Sequence, residues 1–309
     1  MSRSSDEQTQ TEFWQRNAIA DQPDGAFLAE PAIIALEVAR KVFVTAFDQA
    51  PLPKETSGIA LRAFENLSDR VYEQAVGMLV CLGTGSGAAA ETIARTVIEG
   101  SFNLLFMADQ KHEHRLFAYF FKYIDEHARK LDEWQQSLRG SMMQAIFVNS
   151  VIKTIQTQRE GHAKMREFIK KLADGLELPE PPELAKHWPS SLFKRCEQIA
   201  RSSDYLTSYH RLSASSHVGA EDTIRWLFGY YLAGTGVDKD FVNRLGVETV
   251  MYSAMMTRIA VLYYIDATAA LCTALDSNYD RPLIERLRLN LMKSIEEIAS
   301  DAGCPDLVE

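Results

Sequence analysis

The chain lacks most of the features that would staple, anchor or charge a protein. Its cysteines, Cys81, Cys196, Cys272 and Cys304, are scattered over 309 residues with no C-x-x-C pair. That spacing offers neither a disulfide framework nor a cysteine zinc site. Cys81 and Cys272 stand in apolar runs, where a thiol acts as a small hydrophobe, and the pattern fits a reducing cytoplasm. There is no cationic excess either: 33 Lys and Arg face 42 Asp and Glu, a net charge of −9. Bulk attraction to nucleic acid is thereby excluded, although a local basic pocket is not. Uninterrupted apolar runs are also missing. The most membrane-like stretch, Val250 to Leu275, is broken by Arg258 and Asp266, and Val76 to Ala90 is split by Gly83, Gly85 and Gly87. The N-terminal MSRSSDEQTQTEFW carries no apolar segment after Arg3, so it reads as neither signal nor anchor. The expectation is a soluble cytoplasmic protein with no membrane partner.

Alternating β-branched runs bounded by tight turns are absent, and apolar residues recur at three and four positions almost throughout. The fold class this predicts is all-α: a multi-helix bundle of long antiparallel helices with no sheet. Residues 1–26 read as a polar arm. A first helix is expected from near Glu30, with Pro31 in its first turn, to the residues before Pro51. Further helices are expected over about 54–82, 88–109, 113–139 and 142–173. Gly175 to Pro189 carries Pro179, Pro181, Pro182 and Pro189 and cannot be helical throughout. It is predicted to be a surface loop in a single helical domain spanning 27–280, with helices over 190–212, 220–232 and 239–275. A C-terminal helix and tail fill 281–309.

Two groups of residues carry candidate chemistry. On the predicted helix 88–109, Glu91, Arg95 and Glu99 recur every four residues in one sector with Phe102 and Phe106. A charged line inside an aromatic face must be paired when buried. It forms either a salt-bridge ladder along the helix or the wall of a pocket.

The second group is YLTSYHRLSASSH, Tyr205 to His217, where phenol, imidazole, guanidinium and hydroxyl groups crowd together. Arg211 and His217 satisfy the R-x(4–6)-H spacing used by HEPN ribonucleases, a spacing of which about one instance is expected by chance in such a chain. Six steps along an unbroken helix place the two side chains about 120° apart. Convergence therefore needs a break, which Ser213 to Ser216 and Gly219 are suited to provide. Arg211 would then hold a phosphate and His217 would act as general base on a ribose hydroxyl, without a metal or other cofactor. Tyr205, Tyr209 and Ser216 would orient the substrate. The alternative is that His217 caps a helix, the tyrosines pack, and His210 and Arg211 are solvated.

Other signals are weaker. Gly83 to Gly87 lacks the strand and lysine of a P-loop and reads as a turn between helices with Ser86 as cap. Asp109, His112, Glu113 and His114 lack metal-ligand spacing, because i,i+2 histidines do not share a helical face. Arg166, Lys170 and Lys171 read as a solvated face.

The patches ARTVIEGSFNLLF (Ala94 to Phe106) and YLTSYHRLSASSH, joined by a helical middle with Trp188-Pro189, resemble the bacterial DUF5677 domain family. There an R-x-x-x-E helix precedes a Tyr-rich segment ending in Ser and His. Here these positions are Arg95, Glu99, Tyr205, Tyr209, Ser213, Ser216 and His217. The resemblance implies an all-helical fold with the two patches facing each other across a buried polar site. A more distant resemblance to HEPN ribonucleases implies an endoribonuclease of bacterial stress or phage defence that acts as a homodimer on RNA. Leu212 departs from that pattern, which has a polar residue after the Arg. The alternative is a non-catalytic helical module that binds a partner protein or small ligand at the same polar site.

Overall fold

A computed structural model of the chain describes residues 3–19, 21–50, 57–139, 145–215 and 239–302, with isolated positions between 224 and 234. The elements run α1 (Arg3–Arg16), α2 (Ala26–Gln49), α3 (Ser57–Gly83), α4 (Gly87–Ala108), α5 (His112–Ser137) and α6 (Ala145–Gly175). After α7 (Pro181–Leu184) and a 3-10 turn (Ala185–His187) come α8 (Leu192–Gln198) and α9 (Ser202–Asp204). A π-helical turn (Tyr205–Tyr209) leads into α10 (His210–Ser215), and α11 (Lys239–Ala274) and α12 (Arg281–Ala299) follow. No strand occurs among the described residues, and the fold is all-α.

Where the sequence leads to one helical domain, the chain divides into two compact units. The larger comprises Met1–Pro51, Ala63–Asp109 and Cys196–Glu309, and the smaller comprises Leu52–Arg62 and Gln110–Arg195. The division follows from where each helix spends its apolar face: α5 packs on α6, α7 and the 3-10 turn, whereas α2, α4 and α12 pack on α11. The Pro-rich stretch 175–189 lies inside the smaller unit, where Pro181 opens α7.

In the larger unit α11 is the central helix. Ala254, Met255, Met256, Ala260, Val261, Tyr264, Ile265 and Leu271 are all buried, so apolar side chains face inward nearly all round. Residues Asn243–Ala274 have the length and composition to cross a membrane, but 72% of their apolar window is buried inside the protein, as in a core helix. Small residues let neighbours approach closely: a Cβ added at Gly87 would lie 2.8 Å from Ser253 Oγ, and one at Gly100 would lie 2.6 Å from Val71 Cγ2. Asp280 caps α12 by accepting a hydrogen bond from Leu283 N at 2.9 Å.

Several boundaries differ from the sequence reading for identifiable reasons. The expected polar arm is mostly the helix α1, which buries Phe13 and Trp14, and the Trp14 ring fills the space beside Gly83. Two adjacent apolar residues at the end of a polar helix leave no periodicity to detect. Helix α2 begins at Ala26, placing Pro31 in its second turn, because Leu28 and Ala29 are already buried. The turn after α3 is a Schellman motif: Ser86 N donates to Cys81 O, Gly85 N donates to Leu82 O, and Gly85 has φ +86°. Ser86 takes the N-cap position of α4 without a side-chain capping bond.

In the smaller unit, the ion pairs Asp125–Arg166 and Asp132–Arg159 show α5 and α6 running antiparallel. Trp188 packs between the Tyr119 ring at 5.0 Å and the Arg195 guanidinium at 4.6 Å.

Close packing of α3 on α4 has a direct test. Gly77 on α3 has nothing within 4 Å of an added Cβ, so Gly77→Ala is expected to stabilise the protein by about 1 kcal/mol through helix propensity. Gly100→Ala is expected to destabilise it, because Val71 must shift. Urea midpoints that move in the same direction for both variants would contradict this packing.

Candidate functional site

The site is assembled by a local departure from α-helical geometry. Between α9 and α10 the backbone forms a π-turn in which His210 N bonds Tyr205 O instead of the carbonyl four residues back. The sequence supplies a reason: Thr207 Oγ1 bonds Ser203 O at 2.9 Å, and Ser208 Oγ bonds Asp204 O at 2.5 Å. Hydroxyls that bond back to the preceding turn compete with the helical ladder and bend it. The turn and α10 pack on α4, so Tyr209 is directed at the charged line of that helix.

Tyr209 O–H donates to Glu99 Oε2 at 2.9 Å and accepts from Arg95 Nη2 at 3.0 Å. The Arg95 guanidinium also lies 4.8 Å from the centre of the Tyr209 ring, a cation–π distance. Tyr205 completes the group, its ring centred 5.2 Å from that of Tyr209. Tyr209 is buried, while Arg95, Glu99 and Tyr205 are half-buried and reachable from solvent. Burial pushes the Tyr209 phenol above its ordinary value, the Glu99 carboxylate adds to the effect, and Arg95 opposes it. The phenol therefore stays protonated at neutral pH.

The structure thus brings Arg95, Glu99, Tyr205 and Tyr209 together. Glu91, on the same sector of α4, is met by a different helix: Ser253 Oγ on α11 donates to its Oε1 at 2.5 Å. Arg211 is exposed on α10. That helix runs through Ser215, and the rest of the stretch expected to break it, from Ser216 to Gly219, lies outside the described residues. The Ser213 side chain, Ser216 and His217 lie outside the described residues. No group of three or more His, Cys, Asp or Glu side chains able to hold a metal occurs among the described residues. The His114 ring lies against His187, with 5.1 Å between ring centres.

Two further networks escape sequence reasoning. Arg16 on α1 donates to Glu37 and to Tyr72 O–H at 2.6 and 3.0 Å, and Tyr72 O–H donates to Glu37 at 2.7 Å. Here Arg, Tyr and Glu from α1, α3 and α2 close a triangle, whereas at Tyr209 the hydroxyl links Arg95 to Glu99. In both groups a Tyr hydroxyl joins an Arg to a carboxylate, and the π-turn and Tyr205 set the Tyr209 version apart. In the other network, Asp266 on α11 accepts from Arg201 at 2.8 Å and from Arg288 at 3.1 Å, and Arg201 also holds Asp204 at 2.8 Å. The sequence signal was available, since an Asp inside an all-round apolar helix demands a cation.

Burial raises the phenols of Tyr72, Tyr209, Tyr263 and Tyr264 above their ordinary value near 10. Their neutral forms favour the folded state, so this stability is complete below about pH 10 and is lost as the pH rises through the folded values. Tyrosinate absorbance in alkali is expected to show a late-titrating class that Tyr209→Phe reduces by one member. Loss instead of an early-titrating tyrosine in that variant would contradict the Tyr209 hydrogen bonds.

No curated protein and no solved structure matches the chain. Residues 66–228, more than half of its length, match DUF5677, a family of unknown function. That span contains Arg95, Glu99, Tyr205 and Tyr209, and the chain belongs to the DUF5677 family.

Proposed function

We propose that the chain is a non-catalytic helical module that binds a small polar ligand at Arg95, Glu99, Tyr205 and Tyr209. The observation that carries this reading is the π-turn at Tyr205–Tyr209. Such turns interrupt the regular helical ladder and are frequently found at functional sites. This one delivers Tyr209 to Arg95 and Glu99 and sets Tyr205 beside it.

The chemistry suits holding rather than cleaving. Tyr209 remains protonated with its proton directed at Glu99, so the pair is arranged as a hydrogen-bonded anchor. Half-buried Arg95 supplies donors, Glu99 supplies an acceptor, and the tyrosines supply aromatic surface for a planar group. Ribonuclease chemistry would instead depend on Arg211 and His217, and Arg211 is exposed on α10.

A thermal-shift screen of the purified full chain against mononucleotides and aromatic acids tests the reading. A binder present at a hundredfold excess over its Kd is expected to stabilise the wild type by about 2.7 kcal/mol. It should have little effect on Arg95→Gln or Tyr205→Ala, and labelled single-stranded RNA should stay intact. RNA cleavage by the wild type that disappears in Arg211→Ala would overturn the proposal.

A further inference from the structure

A second site lies in the larger unit, next to the tyrosine cluster. A cleft of about 570 Å³ is lined by Leu105, Ala108 and Asp109 at the end of α4, by Gln198, Ile199 and Arg201 after α8, and by Ala269, Ala270, Thr273 and Tyr279 at the end of α11. Its volume is within the range of small-molecule sites. It adjoins that cluster, since Tyr205 N donates to Arg201 O at 3.1 Å, but none of Arg95, Glu99, Tyr205 and Tyr209 lines it.

Charge decides what the cleft accepts. Helix α4 ends on its wall at Ala108, and α11 ends one residue beyond Thr273 of the wall. Helix C-termini carry partial negative charge and favour cations. Asp109, the C-cap residue of α4, lines the same end of the cleft. The cation on the wall, Arg201, is fixed in place by Asp204 and Asp266, which engage Nη1 and Nη2, and Arg288 holds the far side of Asp266. A guanidinium has five N–H groups, so these two bonds leave donors for a further acceptor. Between the two polar ends the wall is aliphatic, formed by Leu105, Ile199, Ala269 and Ala270.

We infer that this cleft binds a zwitterionic apolar amino acid, with its ammonium at Asp109 and the helix ends, its carboxylate at Arg201, and its side chain on the aliphatic wall. The Thr273 and Tyr279 hydroxyls, 3.2 Å apart, close the polar rim. Preorganisation is the physical advantage, because Arg201 is already held in one orientation before a ligand arrives.

The test is calorimetric titration of the full chain with L-phenylalanine and L-leucine. Saturable binding of at least one is expected. N-acetyl-L-phenylalanine, which lacks the ammonium, and phenethylamine, which lacks the carboxylate, should each bind about tenfold more weakly than L-phenylalanine if that is the binder, as expected for losing a charged hydrogen bond. Ala270→Trp, which fills the cleft, should abolish binding, and Gln198→Trp at the exposed rim provides the same test if the first variant does not fold. Arg95→Gln should leave the affinity unchanged, so failure here is distinguishable from failure of the tyrosine site. The inference is overturned if neither amino acid binds, if a folded cleft-filling variant binds normally, or if Arg95→Gln abolishes binding.

Discussion

A charge carried into a helical core must be met by another element, because leaving it unpaired costs on the order of 3 to 5 kcal/mol. The larger unit is organised around that constraint. Glu37 on α2 is met from α1 and α3, Glu91 on α4 is met from α11, and Asp266 on α11 is met by Arg201 and by Arg288 on α12. Buried Arg258 on α11 donates to the carbonyls of Leu28 on α2 and Ser294 on α12, while burial lowers its pKa. Apolar packing alone tolerates sliding and rotation of helices that bury similar surfaces. These polar ties do not, because each has one acceptable register.

The tyrosine site is a product of the same constraint. Glu99 and Glu37 are each engaged by a Tyr hydroxyl that also accepts from an Arg. One such link secures the N-terminal helix. The other secures the Tyr205–Tyr209 turn against α4, and there the backbone departs from the α-helical pattern to reach it. The two groups thus differ in the backbone and in the neighbouring Tyr205 ring.

Much of this was readable from residue spacing. Periodicity of three and four gives the all-helical fold and places most helix ends within a few residues. The coupling of Arg95 and Glu99 to the tyrosine segment came from the family resemblance, and Tyr209 is the residue that makes the contact. What periodicity could not reveal depends on sparse or distant partners. Helix α1 is marked only by Phe13 and Trp14, and the early start of α2 is hidden by a proline that suits a first turn. The two-unit division depends on which helix α5 chooses, and the partners of Asp266 lie 65 residues before it and 22 after it. The Cys272 thiol, read as a small hydrophobe, is pushed up to about 11 by burial, consistent with an inert core position.

The central claim is that the Tyr209–Glu99 bond ties the π-turn to α4. A double-mutant cycle of Tyr209→Phe and Glu99→Gln, read by urea unfolding, measures that tie directly. The account predicts a coupling energy of about 1 kcal/mol or more, since the two side chains share a hydrogen bond. Strict additivity of the two single-variant effects would contradict it.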